Sequence, residues 1–155
     1  MSSVGLVGPV GHLARRFVGM LSNAPVSSAD LDWVGQQLTP AEAALWRRLR
    51  AADQRHSIQV GLRFVDHAPG ADRSAVAAAV LHDIGKLDSD LGIGLRVVAT
   101  IVGPRTARFR RYHDHEQIGA SMLRDIGADE RTVALVGCTS SDIEMAAALR
   151  AADDI

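Results

Sequence analysis

The chain has 155 residues, of which 47% are hydrophobic and 23% charged, with a formal net charge of −1. That length supports one domain with a real core, and the near-neutral charge leaves no global polycationic field to argue for nucleic acid. One cysteine, Cys138, excludes an internal disulfide framework and a four-thiolate zinc site, and it reads as a small buried hydrophobe.

The amino terminus, MSSVGLVGPVGHLARRF, has no charged region ahead of a long apolar core, so it does not read as a leader peptide. No stretch reaches the roughly 18 uninterrupted apolar residues of a membrane span. The expectation is a cytoplasmic protein with no membrane partner and self-association left open. Alanine is abundant, Thr, Tyr and Phe are sparse, and no period-two segment is clear. The composition predicts an all-α fold.

Pro9 to Leu21 makes a short amphipathic helix, with Leu13, Phe17 and Met20 at helical spacing. Ser22–Asp32 is a loop, with Ser28 or Asp30 capping a short turn from Trp33 to Leu38. Residues 1–38 form an N-terminal helical extension packed on a core unit spanning 39–155. Thr39-Pro40-Ala41-Glu42 is a capping box with proline at the first helical position. Leu45, Leu49, Ala52 and His56 then step along one face, extended by Val60 and Phe64, until Pro69-Gly70 stops the helix. His56 continues an apolar stripe and points inward.

Asp72 to Leu81 is the central helix, because AVAAAVL has too few polar residues to face water. It delivers His82 and Asp83 at its end, followed by Ile84-Gly85-Lys86. A loop over Asp88–Gly94 leads to a helix over Leu95–Val102 and then to a basic stretch with Arg105, Arg108, Arg110 and Arg111. His115, Ile118, Gly119, Met122 and Ile126 share the face of the next helix, which ends at Gly127. Asp129-Glu130 opens a helix to Cys138, and Thr139-Ser140-Ser141-Asp142 caps the last, Ile143–Ala152. Ala146, Leu149 and Asp153 share its inner face.

Three separate helices thus offer polar groups on apolar faces. Alone, an inward histidine is a hydrogen-bonded core residue and a terminal aspartate a cap. Together, His56, His82, Asp83 and Asp153 are a coherent ligand set for one divalent metal ion, since burying two carboxylates is costly without a cation. Helical bundles build metal sites by projecting ligands inward in this way.

The pattern His56, then His82-Asp83 inside LHDIGK, then Ala152-Asp153 resembles the HD-domain superfamily of metal-dependent phosphohydrolases. The resemblance covers roughly Thr39 to Asp153, and TPAEAALWRRLRAADQRHS, YHDHEQIGASML and AALRAADDI further resemble small single-domain bacterial HD proteins. It implies an HD-domain helical bundle of about six to seven helices, with His56, His82, Asp83 and Asp153 as metal ligands. It also implies hydrolysis of a small phosphorylated molecule, commonly a nucleotide. The ion is manganese, cobalt, nickel, iron, zinc or magnesium. Relatives with two metals bring extra histidines, whereas this chain keeps His115 but reads Val136-Gly137-Cys138-Thr139-Ser140 where a His-His pair often stands. A single metal follows.

Around the metal, Lys86 lies four residues after His82 and on a continuing helix shares its face. It either stabilises a phosphate in the transition state, with Asp83 and His115 completing the catalytic set, or is a solvated lysine at a helix end. His115 is a core histidine, a phosphate ligand or a proton donor. Arg111 is the best of the arginines for binding phosphate, the alternative being a solvated basic face. Asp88 and Asp90 are candidate general acids. Some nucleotidase branches carry an acidic residue where Lys86 stands, which tells against a nucleoside monophosphate. Gly85 leaves room for a substrate or caps the helix. The rival classes are a catalytically silent HD domain binding a nucleotide or partner protein, and a plain helical interaction module.

Overall fold

The computed structural model describes residues 24–89 and 114–154. Every regular element among them is a helix. In chain order these are Ser28–Gln37 (α1), Pro40–Trp46 (α2), Ala51–His67 (α3), Arg73–Leu81 (α4), the single turn Lys86–Ser89 (α5), His115–Asp125 (α6), Glu130–Val136 (α7) and Ile143–Asp153 (α8). The all-α class expected from composition stands. The helices expected over Pro9–Leu21 and Leu95–Val102 lie outside the described residues.

Ser27 is the cap of α1: its hydroxyl accepts the Asp30 N–H at 3.2 Å. A full helix therefore begins where a loop and short turn were expected, and Ser28 and Asp30 are already inside it. The capping box at α2 forms as expected. The Thr39 hydroxyl accepts the Glu42 N–H at 3.3 Å, and the Glu42 carboxylate accepts the Thr39 N–H at 2.7 Å.

The single long helix expected beyond Thr39 is instead two, α2 and α3, separated by a turn over residues 47–50. Trp46 and Ser57 give the reason. The indole N–H donates to the Ser57 hydroxyl at 2.9 Å, whereas a straight helix holds residues so spaced about 16 Å apart. Folding back buries Leu45, Trp46 and Leu49. The Gln54 amide donates to the carbonyls of Arg47 and Leu49, at 3.3 and 3.1 Å, which the break would otherwise leave without partners.

The helix α4 is the centre of the fold, as its alanine-rich sequence indicates. The Asp72 carboxylate caps it by accepting the Ala75 N–H at 2.9 Å, and Ala75 through Leu81 are all buried. Helices α1, α3 and α7 pack on it, while α8 packs on α3 and α6 on both α5 and α7. No helix among the described residues is long and apolar enough to cross a membrane.

The ends of α6 and α7 use one device. After α6, Gly127 at φ 72 lets the Ala128 N–H reach the Leu123 carbonyl at 3.0 Å. After α7 the same left-handed position is held by Cys138 at φ 54, with the Thr139 N–H on the Ala134 carbonyl at 2.9 Å. Cys138 is exposed, not the buried hydrophobe expected, because the left-handed cap residue lies past the end of the packed helix. Arg131 of α7 bonds both Asp72 and Asp142, the capping carboxylates of α4 and α8. One guanidinium thus ties together the starts of two helices.

Candidate metal centre

His56 stands in the second turn of α3, His82 terminates α4 with Asp83 next to it, and Asp153 closes α8. The packing of α3 on both α4 and α8 brings these helix segments to one place. Ligand atoms of His56, His82 and Asp83 lie within 4.8 Å of one another. Asp153 Oδ1 is 3.1 Å from His56 Nε2 and 3.5 Å from His82 Nε2. Asp83 Oδ2 is 3.4 Å from His82 Nε2 and 3.9 Å from His56 Nε2. These spacings approach the edge of a tetrahedral or octahedral shell with bonds of about 2.1 Å, roughly 3.0–3.4 Å.

The donor chemistry fits a cation. His82 Nδ1 is 2.9 Å from the Ala79 carbonyl, an acceptor only, so in the neutral ring Nδ1 carries the proton and Nε2 presents its lone pair. Nε2 is buried without a hydrogen-bond partner, and it faces carboxylate oxygens of Asp83 and Asp153. A lone pair aimed at two carboxylates is repulsive unless a metal ion or an added proton lies between them. The titration behaviour agrees. Burial alone disfavours the charged imidazole of His82, but the Asp83 and Asp153 carboxylates outweigh it and its pKa rises. Burial likewise opposes ionisation of Asp83, yet His82 and Lys86 hold its pKa well below the usual carboxylate range. The His56 and His82 imidazoles beside it, His56 at hydrogen-bond distance, hold Asp153 well below that range too.

Lys86 sits elsewhere than the helical spacing predicted. The helix stops at Leu81, residues 82–85 form a turn, and Lys86 opens α5. Its ammonium is ion-paired with Asp83 Oδ2 rather than continuing the His82 face. His115 Nε2 lies 3.3 Å from the other Asp83 oxygen. Asp83 is therefore the hub, reached from its own segment by His82 and Lys86, from α3 by His56 and from α6 by His115.

Gly85 is neither open space for a substrate nor a left-handed cap. A Cβ there would lie 1.8 Å from the His115 carbonyl oxygen, so the glycine is where α6 seats. Asp88 is exposed on α5. Arg111, the other arginines of the basic stretch and Asp90 lie outside the described residues. One contact escapes a reading of the sequence: Arg63 Nε donates to the Ala152 carbonyl at 2.7 Å. It fixes the end of α8 one residue before Asp153, and only its position two turns after His56 hints at it.

A pocket adjoins the centre, lined at one end by His82, His115 and Asp153. Glu116 and Arg150, which the sequence does not single out, also line it. Each is a near neighbour of a site residue, Glu116 directly after His115 and Arg150 one helical turn before Asp153.

The HD domain family model matches residues 54–153, well over half of the chain. The match begins just before His56 and ends on Asp153, so it spans the whole donor set. No curated protein and no solved structure matches the chain.

Proposed function

This chain belongs to the HD-domain family, whose members are typically metal-dependent phosphohydrolases, and we propose that it hydrolyses a small phosphate ester, with nucleotides the first class to test. The observation that carries this reading is the buried His82 Nε2, without a partner and facing two carboxylates. His56, His82, Asp83 and Asp153 would hold one divalent ion. The chemistry such an ion supplies when bound is Lewis acidity, which acidifies water and draws charge from a phosphoryl group.

The remaining work falls to the chain's own residues. Ala79 fixes the His82 tautomer, so the ring need not reorganise to present Nε2. Lys86 holds Asp83 in place and sets a positive charge beside the donor set, where negative charge grows on a phosphoryl group in the transition state. His115, on the pocket wall beside Asp83, either holds a phosphoryl oxygen or hands a proton to the leaving oxygen.

The experiment is to measure metal content, and phosphate release from a nucleotide panel with manganese, cobalt or nickel added. We expect one bound ion per chain and phosphate release that Asp83→Ala abolishes. A wild-type protein that stays metal-free and inert overturns the reading. A catalytically silent HD domain remains the second reading, favoured by the exposed Cys138 in the stretch where relatives often carry a His-His pair. It predicts ligand binding without phosphate release.

A further inference from the structure

The pocket beside the donor set has a volume of about 220 Å³ and lies between α6, α7 and α8. Its end at His82, His115 and Asp153 is polar. Away from that end Val136, Ile143, Ala146 and Leu149 form an aliphatic strip along the wall, and Glu116, Cys138, Ser140 and Arg150 line the pocket beside it. Ala146 precedes Asp153 by two helical turns on one face of α8, so the wall runs about 10 Å from the donor set.

Ile143 marks the mouth. It is 77% exposed, against 36–45% for the other large hydrophobics in water among the described residues. An isoleucine left in water on a pocket wall is apolar surface that a ligand can cover. The volume falls below the roughly 300–1,000 Å³ of sites for drug-sized ligands, so the occupant is compact.

Resting on the phosphohydrolase reading above, we propose that this pocket is the leaving-group subsite, and that the substrate is the monophosphate ester of a compact, weakly polar alcohol. A phosphoryl group at the His82, His115 and Asp153 end directs its ester oxygen along the aliphatic wall. The group attached to that oxygen then covers Ala146 and Ile143. Hydrolysis cleaves the phosphorus–oxygen bond: water supplies hydroxyl to phosphorus and a proton to the departing alcohol, and the alcohol vacates the pocket.

The test is calorimetric titration of methyl, propyl, butyl and hexyl phosphate into the full chain with manganese added, alongside phosphate release from each. Affinity should rise about fourfold per buried methylene until the wall is covered. Ala146→Phe should remove that gain while leaving manganese and methyl phosphate binding unchanged. Ile143→Ser, at an exposed position, should reduce the gain without risk to folding.

A flat series in the wild type overturns the subsite. So does Ile143→Ser lowering the thermal midpoint with the series unchanged, because the wall is then packed by protein. Graded binding without phosphate release keeps the subsite and overturns the hydrolase reading. Phosphate release from nucleotides with a flat alkyl series does the reverse, and a protein that binds no probe overturns both.

Discussion

Gly85 and Gly119 meet backbone to backbone: a Cβ on Gly85 would stand 2.7 Å from the Gly119 nitrogen, and one on Gly119 3.1 Å from the Gly85 nitrogen. The paired glycines let α6 lie directly on the turn that carries His82 and Asp83. That close approach puts His115 Nε2 3.3 Å from Asp83 Oδ1. The small residues thus set the distance between two chemical groups that neither glycine touches.

Gly85→Ala should therefore act on both fold and site. The methyl meets backbone, which cannot swing aside as a side chain can, so α6 must shift. Overpacking of this kind costs about 1–3 kcal/mol. Denaturant unfolding should show that loss, and nuclear magnetic resonance of the His115 ring should show it uncoupled from Asp83. An unchanged His115 resonance would refute the seating role.

Metal should stabilise the fold, because the unfolded chain does not hold the four donors together. At a concentration a hundredfold above the dissociation constant, a bound ion adds about 2.7 kcal/mol. Thermal unfolding with manganese or zinc should rise accordingly and fall back with a chelator. His82→Ala should abolish the rise, since it removes the buried nitrogen that faces both carboxylates. A rise of equal size in that variant would place the ion elsewhere.

Arg63→Ala tests positioning rather than ligation. Its guanidinium holds the Ala152 carbonyl at 2.7 Å, anchoring the end of α8 to the helix that carries His56. Outer partners of metal ligands typically contribute 10–100-fold in affinity. We expect a loss in that range for metal binding measured by competition with a chromophoric chelator, with helical content unchanged.

Much of this site is legible in the amino-acid sequence, for a physical reason. His56 and Asp153 sit on amphipathic helices whose period gives the inward face, and His82-Asp83 ends a helix too apolar to be anything but central. What escapes the sequence depends on contacts between distant residues. The break at 47–50 exists because Trp46 reaches Ser57, and no local propensity at Arg47 to Arg50 announces it. Lys86 lands on Asp83 because α4 ends one residue before His82, and helical phase cannot be carried through a turn. Gly85 reads as room because a glycine's neighbour is invisible until α6 is placed. Arg63 and Arg131 are ordinary surface residues in the sequence, given meaning only by partners 89 and 59 positions away.

Arg131 makes the stability of the fold depend on pH. The Ala75 N–H chiefly, with Ser74 and Arg131, lowers the pKa of Asp72 from 3.8. The Met145 N–H and Arg131 lower that of Asp142 from the same value. A carboxylate with a lower pKa in the folded state stabilises at pH above its unfolded value and loses that contribution as pH falls through the folded one. Arg131→Met should lower the thermal midpoint by a few degrees at neutral pH, and the gap to wild type should close as pH falls below 3.8. Because these groups are largely solvated, high salt should narrow the gap as well. A gap that persists undiminished in acid would show that Arg131 acts by packing alone.

His115 offers the sharpest separation of ligand from catalyst. It contacts Asp83 on the oxygen away from Lys86, and it lines the pocket together with His82 and Asp153. If one ion is held by His56, His82, Asp83 and Asp153, removing His115 takes away no ligand, and metal affinity should change little. A group that transfers a proton in the transition state contributes about 10²–10⁴ in rate. His115→Ala should therefore lower kcat within that range, with the metal-induced thermal shift retained. His115→Gln should recover part of the loss if the imidazole acts by hydrogen bonding a phosphoryl oxygen, and none if it transfers a proton. Loss of metal binding in His115→Ala would instead make His115 a ligand and require a larger donor set.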